Sequence, residues 1–206
     1  EIQNSNVKPI EPVFLDFKKD LSQLKAKSGI PVLYKQNTSN DLFQLIYVFD
    51  MGNNNDKALG TAFDYIDYLG TSDMTPEQVK SEFYRLACNF RVSPGNERTY
   101  VVLSGLNENM PEAMKLFEKL MADAQVNKEA YTNMVADILK SRKDAKLNQM
   151  QNFRRLMNYG MYGPKSPATN ILTETELQTM DPQELTDRIH NQNSYKHRIM
   201  YYGPTS

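Results

Sequence analysis

The chain has 206 residues, of which 40% are hydrophobic and 24% are charged, and these values are typical of one soluble globular domain. A chain of this length buries about 70% of its unfolded surface on folding, so it needs neither a metal ion nor a disulfide to be stable. Its 24 basic and 25 acidic residues give a formal net charge of -1, which provides no electrostatic reason to expect nucleic acid or a membrane surface as a partner.

No apolar run approaches the ~20 residues of a transmembrane helix, and the first residues lack the basic-then-apolar pattern of a signal peptide. We therefore expect a soluble segment. The sequence begins at Glu1, which suits either a processed protein or a piece excised from a longer polypeptide. The single cysteine, Cys88, has no internal disulfide partner, and its apolar neighbours predict a small buried side chain.

The first structured region is predicted to be a β-hairpin. After a lead-in segment over residues 1–20, two short alternating apolar patterns at 21–28 and 30–36 are separated by Gly29. A third strand is predicted within 43–52, where apolar side chains occupy both alternating sets, as in a strand covered on much of both faces.

Two helices follow a polar turn. The run Asn-Asn-Asn-Asp at 53–56 predicts the turn, and helical patterns cover about 57–69 and 75–88. Thr75 is the predicted N-cap of the second helix, and Gln78 completes a capping box with it.

The middle of the chain predicts another hairpin and two further helical regions. Residues 90–106 alternate about a turn at 93–96, and their two arms are expected to join the same sheet. Apolar residues at helical spacing predict a helix over 110–125. A long helical pattern covers 128–160, with a possible break in the polar stretch 141–146.

The C-terminal region predicts a loop at 161–167, a short helix over 181–192 with Asp181 as its N-cap, and a last strand at 197–203. Hairpins that alternate with pairs of helices favour local antiparallel pairing. We therefore predict one α+β domain over 21–206, an antiparallel sheet of about five or six strands with helices packed mainly on one face.

The order of these elements, together with the stretch ALGTAFDYIDYLGT at 58–71, resembles the domains of the pitrilysin-like zinc peptidases, which include insulysin and the mitochondrial processing peptidase. The resemblance covers nearly the whole chain and implies the LuxS/MPP-like metallohydrolase sandwich. In catalytic members the helix reads H-x-x-E-H, followed by a few apolar residues and Gly-Thr. Its two imidazoles bind zinc, and its glutamate activates the metal-bound water.

The match to that motif is degenerate. Registering the chain on Gly70 and Thr71 places Thr61 and Tyr65 at the histidine positions and Asp64 at the position of the base. A threonine hydroxyl and a tyrosine phenol are poor zinc ligands at neutral pH, since the phenol has an ordinary pKa near 10. We therefore predict no catalytic residue and no metal site in this chain.

The remaining candidate ligands are weaker still. The family's third ligand, a glutamate on a later helix, has only loose counterparts in Glu129, Asp137 and Asp144, and a gap-free count falls near Arg142. Tyr65 lies on an apolar stripe that favours a packed aromatic residue. His190 and His197 are expected to be surface residues, because a metal site needs a convergent set of ligands.

The resemblance also implies a role. In this family, inactive homologous domains enclose the peptide chamber together with one catalytic domain. The chain is expected to be an inactive domain, the first of the C-terminal half of a longer insulysin-like or presequence-protease-like protein, with no peptidase activity of its own. Its expected partners are the other domains or subunits of the same zinc metalloendopeptidase and the peptide substrate. Zinc is expected only in the catalytic domain of that parent protein.

A basic and aromatic cluster offers candidates for contact with the peptide. Arg155 and Tyr162 are these candidates, and Arg154 and Tyr159 lie beside them in sequence. The alternative is that the arginines stabilise a helix C-terminus and the tyrosines pack on the following loop.

Two other functional classes remain open. The chain could be a stand-alone scaffold subunit of the same fold that binds a partner protein and no peptide substrate. An adjoining sequence or companion chain with an intact H-x-x-E-H motif would favour the peptidase role. An independent hydrolase with Asp64 as general base would need a second convergent acid or nucleophile, and the sequence shows none.

Overall fold

The computed structural model describes residues 11–12, 14 and 16–205. Within these residues, six strands form one sheet in the order β1-β2-β6-β3-β5-β4. The strands are β1 (Ser22–Lys25), β2 (Pro31–Gln36), β3 (Leu42–Phe49), β4 (Cys88–Pro94), β5 (Thr99–Leu106) and β6 (His197–Gly203). The helices are α1 (Leu59–Tyr65), α2 (Pro76–Arg85), α3 (Met110–Asp123), α4 (Lys128–Ala145), α5 (Gln149–Tyr162), α6 (Glu174–Thr179) and α7 (Gln183–His190). Single 3-10 turns occupy Ile66–Tyr68, Asn107–Asn109, Gly163–Lys165 and Asn191–Ser194.

The predicted α+β class and strand number are confirmed, but the sheet is mixed. Strand β6 lies between β2 and β3 and pairs in parallel with β2 and antiparallel with β3. The short loop 37–41 reverses the chain between β2 and β3, so any strand inserted between them must run parallel to one of the two. The buried Asn37 supports this loop, since its backbone N–H donates to Gly203 O at 2.9 Å and its side chain donates to Leu42 O at 2.9 Å.

The helices pack mainly on one face of the sheet, as predicted. The register pairs Leu45 with Leu103 on β5 and with Tyr201 on β6, so these side chains point to the same side. That side joins one hydrophobic core with α1, α2, α3, α4, α6 and α7. The opposite face carries partly exposed apolar residues, among them Leu42, Tyr100, Met200 and Tyr202. No helix among the described residues is long and apolar enough to span a bilayer.

The first two helices begin close to the predicted positions. Helix α1 is shorter than expected because it tightens into a 3-10 turn after Tyr65. Helix α2 has the predicted capping box: Thr75 Oγ1 accepts from Gln78 N at 3.3 Å, and Gln78 Oε1 accepts from Thr75 N at 2.8 Å. The short polar motif was therefore sufficient to locate this helix start.

The long helical pattern is two helices, with the break at residues 146–148. Asn148 caps α5 by accepting a hydrogen bond from Gln151 N at 3.0 Å. Farther on, α7 begins two residues later than predicted. The Asp181 carboxylate accepts from Gln183 N at 3.0 Å, while Pro182 occupies the N-cap position itself.

Helix α6 was not predicted from the sequence. It has six residues and one buried side chain, Leu177, so it is too short to show apolar periodicity. A start signal was nonetheless present, because Thr173 and Glu176 form a capping box. Glu176 also accepts from Lys57 Nζ through both carboxylate oxygens, at 2.6 and 2.9 Å, and this contact joins α6 to the turn before α1.

This contact predicts a pH dependence of stability. The hydrogen bond from Lys57, and then those from Thr173, lower the pKa of Glu176 from 4.5 to about 2. The ionised Glu176 carboxylate therefore contributes fully to the free energy of unfolding above its unfolded pKa. This contribution is lost as the pH falls from about 4.5 to about 2. Glu176→Gln keeps the acceptor for Thr173 but removes the charge, so its unfolding free energy should fall less over this range than that of the wild type.

Urea titrations at several pH values measure this difference. The matched control is Glu97→Gln, which changes an exposed carboxylate that has no ion pair among the described residues. The control should keep the wild-type pH dependence. Identical pH profiles for Glu176→Gln and the wild type would contradict a role for the Lys57 contact.

Candidate functional site

The turn that precedes α1 holds the start of this helix in place. Asn53 Oδ1 accepts from Gly60 N at 3.0 Å, and Asn53 O accepts from Asn170 Nδ2 at 2.9 Å. Arg188 Nε on α7 donates to Asp56 Oδ2 at 2.7 Å in a mostly buried ion pair. The turn predicted from its asparagines therefore also ties α1 to α7 and to the segment that follows α5.

The three degenerate motif positions on α1 have different surroundings. Thr61 is half-buried and Asp64 is exposed, and both line a cleft of about 220 Å³ together with Arg142 and Leu172. Tyr65 is fully buried in the core, as its apolar stripe predicts. Thr61 and Tyr65, which the sequence register places at the histidine positions, are one helical turn apart, but only Thr61 lines the cleft.

The Tyr65 hydroxyl is bonded to the start of α4. It donates to Asn127 O at 2.6 Å and accepts from Asn127 N at 2.9 Å. Asn127 is the N-cap of α4, and its side chain accepts from Ala130 N at 3.0 Å. Burial raises the pKa of Tyr65, against a smaller opposing effect of the Asn127 hydrogen bond. The phenol therefore stays protonated and is committed to structural hydrogen bonds.

A second tyrosine extends this connection. The rings of Tyr65 and Tyr131 meet edge to face, with their centroids 5.7 Å apart. The Tyr131 hydroxyl donates to Leu177 O at 2.7 Å, so the pair links α1, α4 and α6. Sequence reasoning missed Tyr131 and Asn127. The available signal was the apolar stripe of α4, on which Tyr131 lies with Met134 and Val135.

The residue near the family's third ligand position is a cation. Arg142 lines the same cleft as Thr61 and donates from Nη1 to Leu172 O at 2.7 Å. Burial, and secondly the charge of Arg155, lower the pKa of Arg142, but a guanidinium stays charged at neutral pH. The loose carboxylate counterparts lie elsewhere, exposed on α4: Glu129, Asp137 and Asp144.

These residues do not fit a zinc ion. A catalytic zinc takes three strong protein ligands, commonly imidazoles or carboxylates. The positions available here provide a hydroxyl at Thr61, a phenol at Tyr65 that is already hydrogen-bonded to the backbone, and a guanidinium at Arg142. Within residues 11–12, 14 and 16–205, no three His, Cys, Asp or Glu side chains come together as a possible metal site.

Asp64 is the residue that the sequence register places at the position of the catalytic base. Reduced hydration at the rim of the cleft, and secondly the charge of Asp67, raise the pKa of its carboxyl above the ordinary value, although the residue as a whole is exposed. A carboxylate with a raised pKa is a feature of some active sites, but general-base hydrolysis also needs an electrophile or metal beside it. The residues that line the cleft with Asp64 include no further carboxylate, histidine or cysteine.

No sequence-family model matches this chain, and no curated protein matches it in sequence. The periplasmic protease PqqL from Escherichia coli matches its structure with a TM-score of 0.77 at 12% identity, over 93% of this chain and 22% of PqqL. A peptidase M16 inactive domain from Pseudomonas fluorescens gives 0.75 at 14% identity, over 90% of this chain and 47% of that one. The ferredoxin protease FusC, in complex with Arabidopsis ferredoxin, gives 0.76 at 10% identity, over 98% of this chain and 24% of FusC.

The chain has the fold of an M16 peptidase domain. The resemblance to pitrilysin-like peptidases that was inferred from residues 58–71 is thus confirmed at the level of the fold. The chain spans less than half the length of each of these structures.

The two peptide-contact candidates lie beside the α1 cleft of this M16 fold. Tyr162 is 60% exposed and lines a second, polar cleft of about 630 Å³ with Arg98 and Tyr100. The two clefts are neighbours, since Asn96 and Pro167 line both. Arg155 is half-buried on α5, near enough to Arg142 to affect its pKa. Their contact with peptide stays a prediction.

The two histidines of this chain are more buried than predicted. His190 and His197 were expected at the surface, but both are half-buried. His190 Nε2 lies 3.1 Å from Ala124 O, and His197 Nδ1 lies 2.8 Å from Tyr195 O. Each imidazole thus lies against a backbone carbonyl; the His190 contact joins distant segments of the chain, whereas the His197 contact is local. Cys88 is buried as predicted, and its burial raises the pKa of the thiol.

Proposed function

We propose that this chain is a non-catalytic domain of a pitrilysin-like zinc metallopeptidase, in which it helps to form the peptide-binding chamber while catalysis takes place on another domain. Its place as the first domain of the C-terminal half, and its association with the other domains and with peptide, belong to the same proposal. The fold shared with M16 proteases and with an inactive M16 domain supports it. The observation that carries it is the double hydrogen bond between the Tyr65 hydroxyl and Asn127.

The chemistry of the α1 cleft supports the non-catalytic part of the proposal. At the position assigned to a zinc ligand, Tyr65 makes a buried structural contact instead. Arg142 places a positive charge beside the cleft. Because like charges repel in a site of reduced hydration, this guanidinium disfavours a zinc ion. Zinc in the parent protein would then be held by a different domain that carries the complete ligand set.

A role in peptide binding is supported by the edge of the sheet. Strand β4 pairs only with β5 among the described residues, so its other side has free backbone groups. An extended peptide can add to such an edge through main-chain hydrogen bonds. The polar cleft at Tyr162 includes Arg98 in the turn between β4 and β5, so we place Arg155 and Tyr162 on the path of the peptide.

Metal analysis and a cleavage assay test the non-catalytic part. After dialysis, the chain should hold less than stoichiometric zinc and should not cleave an unstructured fluorogenic peptide. Asp64→Asn should leave any trace activity unchanged, and a catalytic M16 protease with and without chelator serves as the positive control. One tightly held zinc equivalent, with chelator-sensitive cleavage that Asp64→Asn abolishes, would contradict the proposal.

Hydrogen exchange tests peptide binding separately. Saturating unstructured peptide should slow the exchange of amides in β4 and leave those of the opposite edge strand, β1, unchanged. If no segment is protected, the chain does not bind peptide in this way. The second candidate function, a scaffold subunit, would then be preferred, and the exposed apolar residues of α5 are the observation that favours it.

A further inference from the structure

Helix α5 contacts the domain through its polar side. Of its residues, only Arg155 and Asn158 are half-buried, and all the others are exposed. At 100° per residue these two lie on one side of the helix. The apolar residues lie within an arc of about 140° on the opposite side. This α5 apolar face consists of Met150, Phe153, Leu156, Met157 and Met161, which are exposed by 59, 56, 67, 49 and 60%.

The orientation is the reverse of that expected for a helix on the surface of a globular domain. Such a helix normally turns its apolar stripe to the core and its polar side to water. Here the stripe points away from the core, and Leu147, 86% exposed, lies just before it. Contiguous exposed apolar side chains of this kind mark interaction surfaces.

The segment that contains the α5 apolar face is strongly basic. Residues 140–165 contain seven Lys or Arg and one Asp, whereas the rest of the chain contains 17 basic and 24 acidic residues. None of these seven cations forms a salt bridge with a described carboxylate. Arg154 is exposed and lies one helical turn from Met150 and from Met157 on the helix surface. The partner that complements this surface combines apolar and acidic side chains.

We propose that the α5 apolar face docks an acidic amphipathic helix of a partner polypeptide. A helix about 10 Å wide can cover α5 without approaching the rest of the domain. Three of the five residues are methionines, whose flexible side chains adapt to the surface of a docked helix. The exposed Arg154, at the edge of the face, then lies beside an acidic flank of the partner.

Two other occupants fit the charges less well. An anionic membrane is broad and flat, so it would also approach the acidic remainder of the chain within the screening distance of about 8 Å. A second copy of this chain in a symmetric contact would bring two basic segments together. The excess of positive charge is confined to the neighbourhood of one helix, and this favours a partner of similar width.

Fluorescence anisotropy tests the proposal with the 206-residue chain and a labelled, designed helical peptide of leucine and glutamate. A peptide with lysine in place of glutamate has the same apolar stripe and the opposite charge. The glutamate peptide should bind at least about tenfold more tightly, and its affinity should fall as salt is raised. The double variant Phe153→Ser, Leu156→Ser should weaken binding at least about tenfold, without a change in helical circular dichroism.

Matched variants separate the α5 apolar face from general surface effects. Tyr84→Ser removes an aromatic side chain that is 88% exposed on α2, and it should leave binding unchanged. Arg154→Glu should weaken binding, whereas Lys115→Glu, an exposed position on α3, should not. The charge variants also provide a readout if the double variant fails to fold.

Several results would overturn the proposal. Equal affinity for the glutamate and lysine peptides would show that charge does not select the partner. If Tyr84→Ser weakened peptide binding as much as the double variant does, the binding surface would not be α5. Binding to phosphatidylglycerol vesicles but not to the peptide would assign the face to a membrane. Self-association in sedimentation equilibrium that disappears in the double variant would assign it to a second copy. None of these results depends on zinc content or on protection of β4.

Discussion

Replacing Tyr65 by alanine should lower the free energy of unfolding by about 3–5 kcal/mol, the usual cost of removing a large buried aromatic side chain. The ring is fully buried and packs against Tyr131, and its hydroxyl bonds both backbone groups of Asn127. The substitution therefore creates a cavity and leaves the N-cap residue of α4 without two partners. Urea denaturation followed by circular dichroism measures the loss.

Tyr65→Phe separates the two contributions. Phenylalanine keeps the ring and removes the hydroxyl, so the expected loss is about 1–3 kcal/mol for polar groups left unpaired in a buried site. Hydrogen exchange should also become faster in the first turn of α4 in this variant. If Tyr65→Phe were as stable as the wild type, the hydroxyl would not be part of the structure at this position, and the argument against a zinc ligand would be lost.

Gly70→Ala is expected to have the second large effect, a loss of about 3 kcal/mol. A Cβ at this position would collide with Met74 O and lie 3.0 Å from the carbonyl carbon of Thr75. These are backbone atoms, and Met74 O already accepts from Thr71 N at 2.9 Å, so they cannot move away independently. The glycine at position 70 is therefore required by the close approach of residues 74–76.

Gly160→Ala is the matched control for this substitution. Gly160 lies in α5, and an added Cβ would meet no atom within 4 Å. Alanine is favoured over glycine inside a helix, so this variant should be more stable by about 0.5–1 kcal/mol. Thermal and urea unfolding of both variants test the comparison. A Gly70→Ala variant as stable as the wild type would mean that the connection between α1 and α2 can shift.

These results would describe how the motif helix is used in this chain. Residues 58–71 provide the apolar contacts of this helix with the core and the close approach at Gly70. Tyr65, which the sequence register places at a ligand position of the family motif, stabilises the junction with α4.

The sequence by itself determined most of the elements and the absence of imidazoles from the motif. Periodicity and capping residues are local properties, and they were sufficient for the hairpins, for α2 with its Thr75 cap and for α3. Registering α1 on Gly70 predicted that Thr61, Asp64 and Tyr65 stand at the motif positions, and this assignment stays a prediction. The absence of imidazoles at Thr61 and Tyr65 is read directly from the residue types, whereas the hydrogen bonds that occupy the Tyr65 hydroxyl were visible only in the structure.

Only the tertiary structure decided how distant segments meet. The insertion of β6 between β2 and β3, the bond from Tyr65 to Asn127 and the entry of Arg142 into the α1 cleft each join residues far apart in the chain. Local patterns do not encode such pairings. The apolar stripe of α5 faces away from the core, and the helix rests on its polar side. Amphipathicity defines two sides of a helix, and only the packed neighbours determine which of them faces the core.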